Sequence, residues 1–499
     1  MTRLSLQPLL ASSLLVLGLN GCVSGPDTVA ADLDIPAAYR AGAAGAREAW
    51  PTDTWWRGFN SPELNALIGQ ASRSSFDIAA AIARVTQADA QVRISGAALL
   101  PALNGTASAQ WEHIGFGTGG LSVRGPPGNG GEDLRSYAFG LSASYQLDFW
   151  GRNQARRRSA IESAMFSRFD QRTVALTVVT NVANTWFTAL ALADRLAVAR
   201  RNVADIDQTL AVIRGRLEVG TASALDVANQ EALAASERAT IPNFQNQLEQ
   251  AVIGLGILVG TPPERIVVRP GTLTALSLPV VAPGLPSALL ARRPDVAAAE
   301  AQLNASGFDV TVARTAFYPA INLTGSAGYQ AAALNALVNP GGAIASFAAG
   351  LTAPLFDGGA LRGALEQARG RQAELLADYR KAVVQAFTDV DNALVAWRYT
   401  TEQETLQRVA VETARRAATI ARAQMLAGTA DITAVLTAEA ALFTAEDTLA
   451  QVRLARFQGL LNLYKALGGG WTVGDTGKFP GLTPDLIKGG LALPGGGNK

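Results

Sequence analysis

Ser136–Phe149 reads SYAFGLSASYQLDF, and it alternates without exception. Tyr137, Phe139, Leu141, Ala143, Tyr145, Leu147 and Phe149 fall on one side of an extended chain. Ser136, Ala138, Gly140, Ser142, Ser144, Gln146 and Asp148 fall on the other. Successive side chains of a strand point to opposite faces, so this stretch is a strand with one apolar face and one polar or small face. Similar runs stand elsewhere. Leu103, Ala107, Ala109 and Trp111 alternate with Asn104, Thr106, Ser108, Gln110 and Glu112, and Ile321, Leu323, Ala327 and Tyr329 with Asn322, Thr324, Ser326 and Gly328. A weaker run lies near Phe347–Leu355. The pattern predicts strands at about 102–113, 135–149, 320–330 and 344–355. A Gly- and Pro-rich loop, Gly115–Gly131, joins the first two, and Ala331–Gly342 joins the last two.

Such strands fit either a soluble sheet or a membrane barrel with apolar residues outside and polar residues inside. The N-terminus favours the barrel. Met1–Gly21 carries one charge, Arg3, and an apolar run from Leu9 to Leu19 that is too short to span a bilayer. Leu19-Asn20-Gly21-Cys22 follows and resembles a bacterial lipobox. Cys22 is therefore the expected site of a covalent lipid, and several acyl chains make a durable anchor. Val23 rather than Asp after the thiol implies sorting to the outer membrane of a Gram-negative cell. Four strands cannot close a barrel, and an open sheet edge in lipid leaves backbone groups unpaired. A membrane reading thus demands an oligomer.

The rest of the chain is written twice. Gly220-Thr221-Ala222 recurs as Gly428-Thr429-Ala430, an offset of 208, and at that offset Arg214 meets Arg422, Val227 meets Val435, Glu231 meets Glu439 and Gly260 meets Gly468. Earlier matches, Asp77 with Asp295 and Pro101 with Pro319, are 218 apart. Each copy runs from a helix through two strands into a very long helix, then Gly-Thr-Ala, then a returning helix. Residues 151–241 and 355–479 contain no Pro, and apolar residues recur at three and four. Thr173–Ala193 is uncharged, but its Thr and Asn residues suit a packed helix better than a membrane span. Gly220 and Gly428 are expected to end the long helices in tight hairpins. Ser223 or Asp226 begins the first returning helix and Asp431 the second. Pro242, where the second copy has Ala450, should kink the first returning helix alone.

Composition removes other classes. With 42 Lys+Arg against 41 Asp+Glu, the chain of 499 residues lacks the basic excess of a nucleic-acid binder. One Cys and one His, His113, leave no cysteine-rich or His-rich metal site, so no metal and no cofactor beyond the lipid on Cys22 is expected. No nucleophile, base and orienter are grouped, and Gly117–Gly131 lacks the Gly-Lys-Ser/Thr of a phosphate loop. The chain is expected not to be an enzyme.

Several marks together resemble one family. They are Trp55-Trp56 with Phe59, Pro62-Glu63-Leu64, Leu100-Pro101-Ala102-Leu103, Arg292-Arg293-Pro294-Asp295-Val296, Phe356-Asp357-Gly358-Gly359 and Tyr464-Lys465-Ala466-Leu467-Gly468-Gly469-Gly470-Trp471. The pattern looks like the TolC-like outer-membrane efflux proteins, in the NodT-like lipoprotein branch that serves resistance-nodulation-division pumps. The resemblance implies an α+β membrane protein. Each of three chains would contribute four strands to a 12-stranded outer-membrane β-barrel, continuous with a long periplasmic α-helical barrel. Its domains would be a lipoprotein signal peptide (1–21), a first repeat (22–260, hairpin tip about 214–226), a second repeat (261–470, tip about 422–436) and a tail (471–499) in the equatorial belt. The implied function is the exit duct of a tripartite efflux pump, passively conducting drugs or other small solutes. The implied partners are its own copies as a homotrimer, a periplasmic membrane-fusion adaptor, the inner-membrane pump and outer-membrane lipid, and no nucleic acid. Arg214, Gly220, Thr221, Ala222 and Asp226, with Arg422, Gly428, Thr429 and Ala430, would dock the adaptor. Asp431 and Leu436 would form the periplasmic gate. Ala434 and Thr437 stand where relatives often carry further acids. A type I secretion or general-diffusion channel is the rival reading. Three Met and one His favour organic solutes over metal ions.

Overall fold

The computed structural model describes residues 31–41, 50–114, 132–269, 271–281 and 284–471. Residues 1–21, Cys22, the Gly117–Gly131 loop and the tail beyond Trp471 lie outside the described residues. In order, the helices and strands are α1 (Pro62–Ser74), α2 (Phe76–Ala97), β1 (Ala102–Ile114), β2 (Glu132–Leu147), α3 (Arg152–Glu218), α4 (Ala224–Val259), α5 (Pro286–Leu290), α6 (Pro294–Thr315), β3 (Ala320–Ala331), β4 (Ala343–Thr352), α7 (Ala360–Leu426) and α8 (Ile432–Ala466). The order helix, strand, strand, long helix, returning helix thus occurs twice. The chain divides into two compact units, one containing Gln87–Ala164 and Ala301–Ala377, the other Ala31–Thr86, Met165–Glu300 and the residues from Asp378 on.

The first unit holds the sheet, a four-stranded antiparallel meander in the order β1-β2-β3-β4. Ala107 pairs with Phe139, Phe139 with Tyr329 and Gly325 with Phe347, so the alternations keep phase across the sheet. One face collects Leu103, Trp111, Phe139, Leu141, Leu147, Tyr329, Phe347 and Leu351, all exposed to solvent in the single chain. The other carries Asn104, Ser108, Gln110, Ser142, Gln146, Asn322, Thr324 and Ser346. Gln330 Nε2 donates to Ser136 Oγ across that face at 3.2 Å.

The strands stop earlier than their alternation does. β2 ends at Leu147, two residues short of Phe149, because the Asp148 carboxylate turns to accept the backbone N–H of Asn153 and Gln154, both at 2.8 Å. That caps the positive end of α3. β4 ends at Thr352 rather than 355, since Pro354 has no N–H to pair and Asp357 accepts from Gly359 and Leu361 to open α7. An aromatic group sits at this edge. Phe149 packs edge-on against Trp150 at 4.7 Å, Trp150 lies 4.8 Å from Tyr318, and its indole N–H donates to the Pro319 carbonyl at 2.8 Å.

The second unit is helical. Its main core joins Trp55, Phe59, Leu64 and Ile68 to Val182, Trp186 and Phe187 of α3, Leu255 of α4, and Phe457 and Tyr464 of α8. Trp55 stacks on Tyr464 at 4.6 Å, Phe59 meets Phe187 edge-on at 5.0 Å, and Trp186 Nε1 donates to Glu63 at 3.0 Å. Burial in this core pushes the Tyr464 hydroxyl up to about 12. The Arg293 guanidinium, almost fully buried, bonds both oxygens of Asp295 and reaches Asp389 at 2.9 Å. The marks around Trp55, Arg293 and Tyr464 therefore fall together in this unit. α3 and α7 have 67 residues each, about 100 Å at 1.5 Å per residue. The uncharged stretch of α3 is mostly buried inside the protein, as a packed helix should be. α4 continues as a helix through Pro242.

Candidate functional site: the helical hairpins

Both long helices end in the same way. Gly220 and Gly428 adopt left-handed conformations (φ 76° and 73°), which cost a glycine nothing. Thr221 donates its N–H to the Arg216 carbonyl at 2.8 Å and Gly220 to that of Leu217 at 3.0 Å; Thr429 and Gly428 repeat this on Gln424 and Met425. These are paired Schellman closures that satisfy the last helical carbonyls. The two returning helices start differently. Ser223 and Asp226 form a reciprocal capping box on α4, so both residues offered by the sequence act together. Asp431 occupies the corresponding backbone position before α8, but its carboxylate accepts only from the Thr433 hydroxyl at 3.2 Å and stays exposed.

Gly220, Thr221, Gly428 and Thr429 are exposed, while Ala222, Asp226 and Ala430 are half-buried. Val219, Leu225 and Leu426 add large exposed apolar side chains beside them. Leu436 is half-buried and packs with Ala222 and Val227 on a small core of Ile213, Ala421, Met425, Ile432 and Val435, which ties the two hairpins together.

The matched arginines differ most. Arg214 pairs with Glu231 at 2.6 Å on the surface, their side chains 57% and 48% exposed. Arg422 pairs with Glu439 at 2.7 Å, but Glu439 is 0% exposed. There Glu439 also accepts from Thr209 of α3 at 3.0 Å and from Gln230 of α4 at 3.4 Å, and Arg422 lies 3.6 Å from Asp205. All four helices meet at this buried node. Glu439 was visible in the sequence only as the repeat partner of Glu231; the spacing of Arg to Glu is the same in both copies.

A second buried carboxylate lies farther along α7. Glu404 accepts from Arg453 at 3.1 Å and Arg456 at 2.9 Å. Burial alone would raise its pKa, yet the two guanidinium groups outweigh this and hold it below the usual glutamate value. Half-buried Glu237 moves the other way: burial raises its pKa, an Asn202 hydrogen bond opposes this, and the Asp447 charge adds to the rise. No group of three or more His, Cys, Asp or Glu able to hold a metal ion occurs among the described residues.

The model of the outer membrane efflux protein family matches residues 67–261 and 285–469, each span running from a core helix to the end of a returning helix. The chain belongs to this family. It is similar to the pyoverdine export outer membrane protein OpmQ of Pseudomonas aeruginosa, 39% identical over 463 residues, covering 93% of this chain and 96% of the relative. It is also similar to the antibiotic efflux pump outer membrane protein ArpC of Pseudomonas putida, 30% identical over 458 residues, covering 91% and 93%. Among solved structures, the outer-membrane channel OprN superposes with a TM-score of 0.83 at 26% identity, covering 90% of this chain and all of that one. The protein is an outer membrane efflux channel, a helix-rich chain with a four-stranded sheet and the fold of known outer-membrane channels.

Proposed function

We propose that three copies of the chain form one exit duct, in which β1 of each sheet pairs with β4 of the next to give a 12-stranded barrel and the long helices build a periplasmic tunnel. The observation that carries this reading is the sheet itself. Among the described residues it leaves two edges unpaired, and it exposes an apolar face, an arrangement that lipid tolerates only after closure. The element order that occurs twice is an internal duplication, which makes the trimer quasi-six-fold. Solute arrives from an inner-membrane resistance-nodulation-division pump through a periplasmic adaptor and passes without chemistry. The hairpin residues Arg214, Gly220, Thr221, Ala222, Asp226, Arg422, Gly428, Thr429 and Ala430 dock the adaptor, with Val219 and Leu225 as apolar anchors. Asp431 and Leu436 narrow the closed tip, three carboxylates in a ring favouring cations. A lipid on Cys22 anchors the mature chain. The cargo is organic, in keeping with three Met and one His and with a similar protein named for pyoverdine export.

Single-channel recording in planar bilayers, with the mass of the detergent-solubilised particle, tests the duct. Discrete conductance steps from a particle of three chains are expected. A monomer without conductance overturns the proposal.

A further inference from the structure

The outward face of the sheet is apolar from the helix-side edge to the far end of the β1–β2 hairpin, and there it changes. Trp111 is paired in register with Arg135, and His113 with Asp133. His113, Asp133 and Arg135 are the only ionisable side chains other than tyrosine on that face among the described residues. From Leu147 to Arg135 the twelve steps of β2 cover about 40 Å along the strand. At a tilt near 40° that is about 30 Å along the membrane normal, close to the roughly 25 Å apolar band of such barrels. Arg135 therefore lies where hydrocarbon gives way to headgroups.

Among the described residues its guanidinium is free to take a ligand. The nearest acid on its own face, Asp133, is held by His113 Nδ1 at 2.7 Å, and Arg135 has no ion-pair or hydrogen-bond partner among the described residues. Glu112 pairs with Leu134 and so lies on the opposite face. The connecting segment 115–131 contains no Asp or Glu, and its only ionisable residue is Arg124. A second copy cannot neutralise Arg135 through the sheet either. The outward positions of β4, Ala343, Ala345, Phe347, Ala349 and Leu351, carry no charge. The second hairpin has no such site: Ala331 and Leu334 stand at its end.

Trp111, 62% exposed, stacks with the His113 ring at a centroid distance of 6.3 Å and presents an amphipathic indole beside the guanidinium. Indole rings settle at headgroup level, and a planar guanidinium matches phosphate bidentately. We propose that Arg135 and Trp111 form a binding site for the phosphate groups of the glycolipid in the outer leaflet, one site per chain. This rests on the barrel reading above. The occupant is a phosphorylated glycolipid because the four helix connections all leave the opposite edge of the sheet, so the β1–β2 hairpin faces the outer leaflet.

The test is native mass spectrometry of the full-length protein in neutral detergent, titrated with bisphosphorylated lipid A, with dephosphorylated lipid A and with phosphatidylglycerol. Lipid A is expected to bind the wild type, Arg135→Gln to bind it about tenfold more weakly, as for loss of a charge-assisted bond, and Arg135→Lys to keep part of the affinity. Removing the phosphates should abolish the difference between wild type and Arg135→Gln. Equal binding of lipid A by wild type and Arg135→Gln overturns the site. An equally Arg135-dependent binding of phosphatidylglycerol overturns the assignment to glycolipid. Conductance separates the two proposals: Arg135→Gln should conduct like the wild type, and a wild type without conductance defeats the barrel rather than the lipid site.

Discussion

Glu439 and Glu231 hold equivalent places in the two halves of the chain and should respond very differently to removal. Each accepts from the arginine seventeen residues before it, at 2.7 Å and 2.6 Å. Glu231→Ala breaks a pair whose side chains are about half exposed, where water screens the charges, and should cost about 0–1 kcal/mol. Glu439→Ala removes a fully buried carboxylate. It takes one acceptor from the Thr209 hydroxyl, which keeps the Asp205 carbonyl at 3.1 Å, and one from the Gln230 amide, which keeps the Ile206 carbonyl at 3.4 Å, and it leaves Arg422 without its main counter-ion. Breaking a buried pair from one side costs about 3–5 kcal/mol, although Arg422, 29% exposed, recovers some hydration and favours the lower end. For a chain this long, about 1–2 °C of thermal midpoint corresponds to each kcal/mol. Differential scanning fluorimetry of the detergent-solubilised protein at one fixed scan rate should show Glu439→Ala lower by about 5 °C and Glu231→Ala within about 2 °C of wild type. Glu439→Gln should fall between them, since an amide can still accept from Thr209. Equal shifts for Glu439→Ala and Glu231→Ala would refute the reasoning, because burial and the hydrogen bonds from Thr209 and Gln230 set the two glutamates apart.

If Asp431 narrows the tip as proposed, Asp431→Ala should raise single-channel conductance in planar bilayers; an unchanged value takes Asp431 out of the gate. Cys22→Ser should abolish labelling by radioactive palmitate, and persistent labelling defeats the lipobox reading. Gly328 faces Gly140 across β2 and β3, and a Cβ on it would lie 2.4 Å from the Phe139 carbonyl oxygen, so Gly328→Val should sharply reduce the heat-modifiable, folded form seen on gels. Because the Glu404 pKa is depressed in the folded protein, its contribution to stability is complete above the ordinary glutamate value of 4.5 and fades as pH falls through the lower, folded value. The melting temperature of Glu404→Gln should therefore approach that of wild type in acid, and a gap that stays constant down to the acid limit contradicts this.

The fold was legible where its causes are local. Strict alternation from Ser136 to Phe149 specifies a two-faced strand, and Gly followed by Thr specifies the Schellman closures, because both depend on neighbouring residues alone. Strand ends were misplaced by two or three residues, since alternation continues through Asp148 while the carboxylate of that residue is claimed by the next helix. At the hairpins the residue types were readable but not their partition between surface and interior. Arg214–Glu231 and Arg422–Glu439 have the same types at the same spacing, and only the packing of four helices around one of the pairs makes it a buried node. In the same way, Trp55, Arg293 and Tyr464 announced a family, while their places in one helical unit follow from contacts between residues hundreds of positions apart.

By itself, then, the sequence determined the repeat, the strand faces, the helix lengths and the chemistry of the turns, all of which follow from periodicity and short-range hydrogen bonding. Tertiary structure alone decided which strands are neighbours and in what register, which of two identical ion pairs loses its water, and that Arg135, with no partner among the described residues, stands beside Trp111 at the end of an apolar face. Those depend on distances between segments far apart in the chain, and no local pattern encodes a distance.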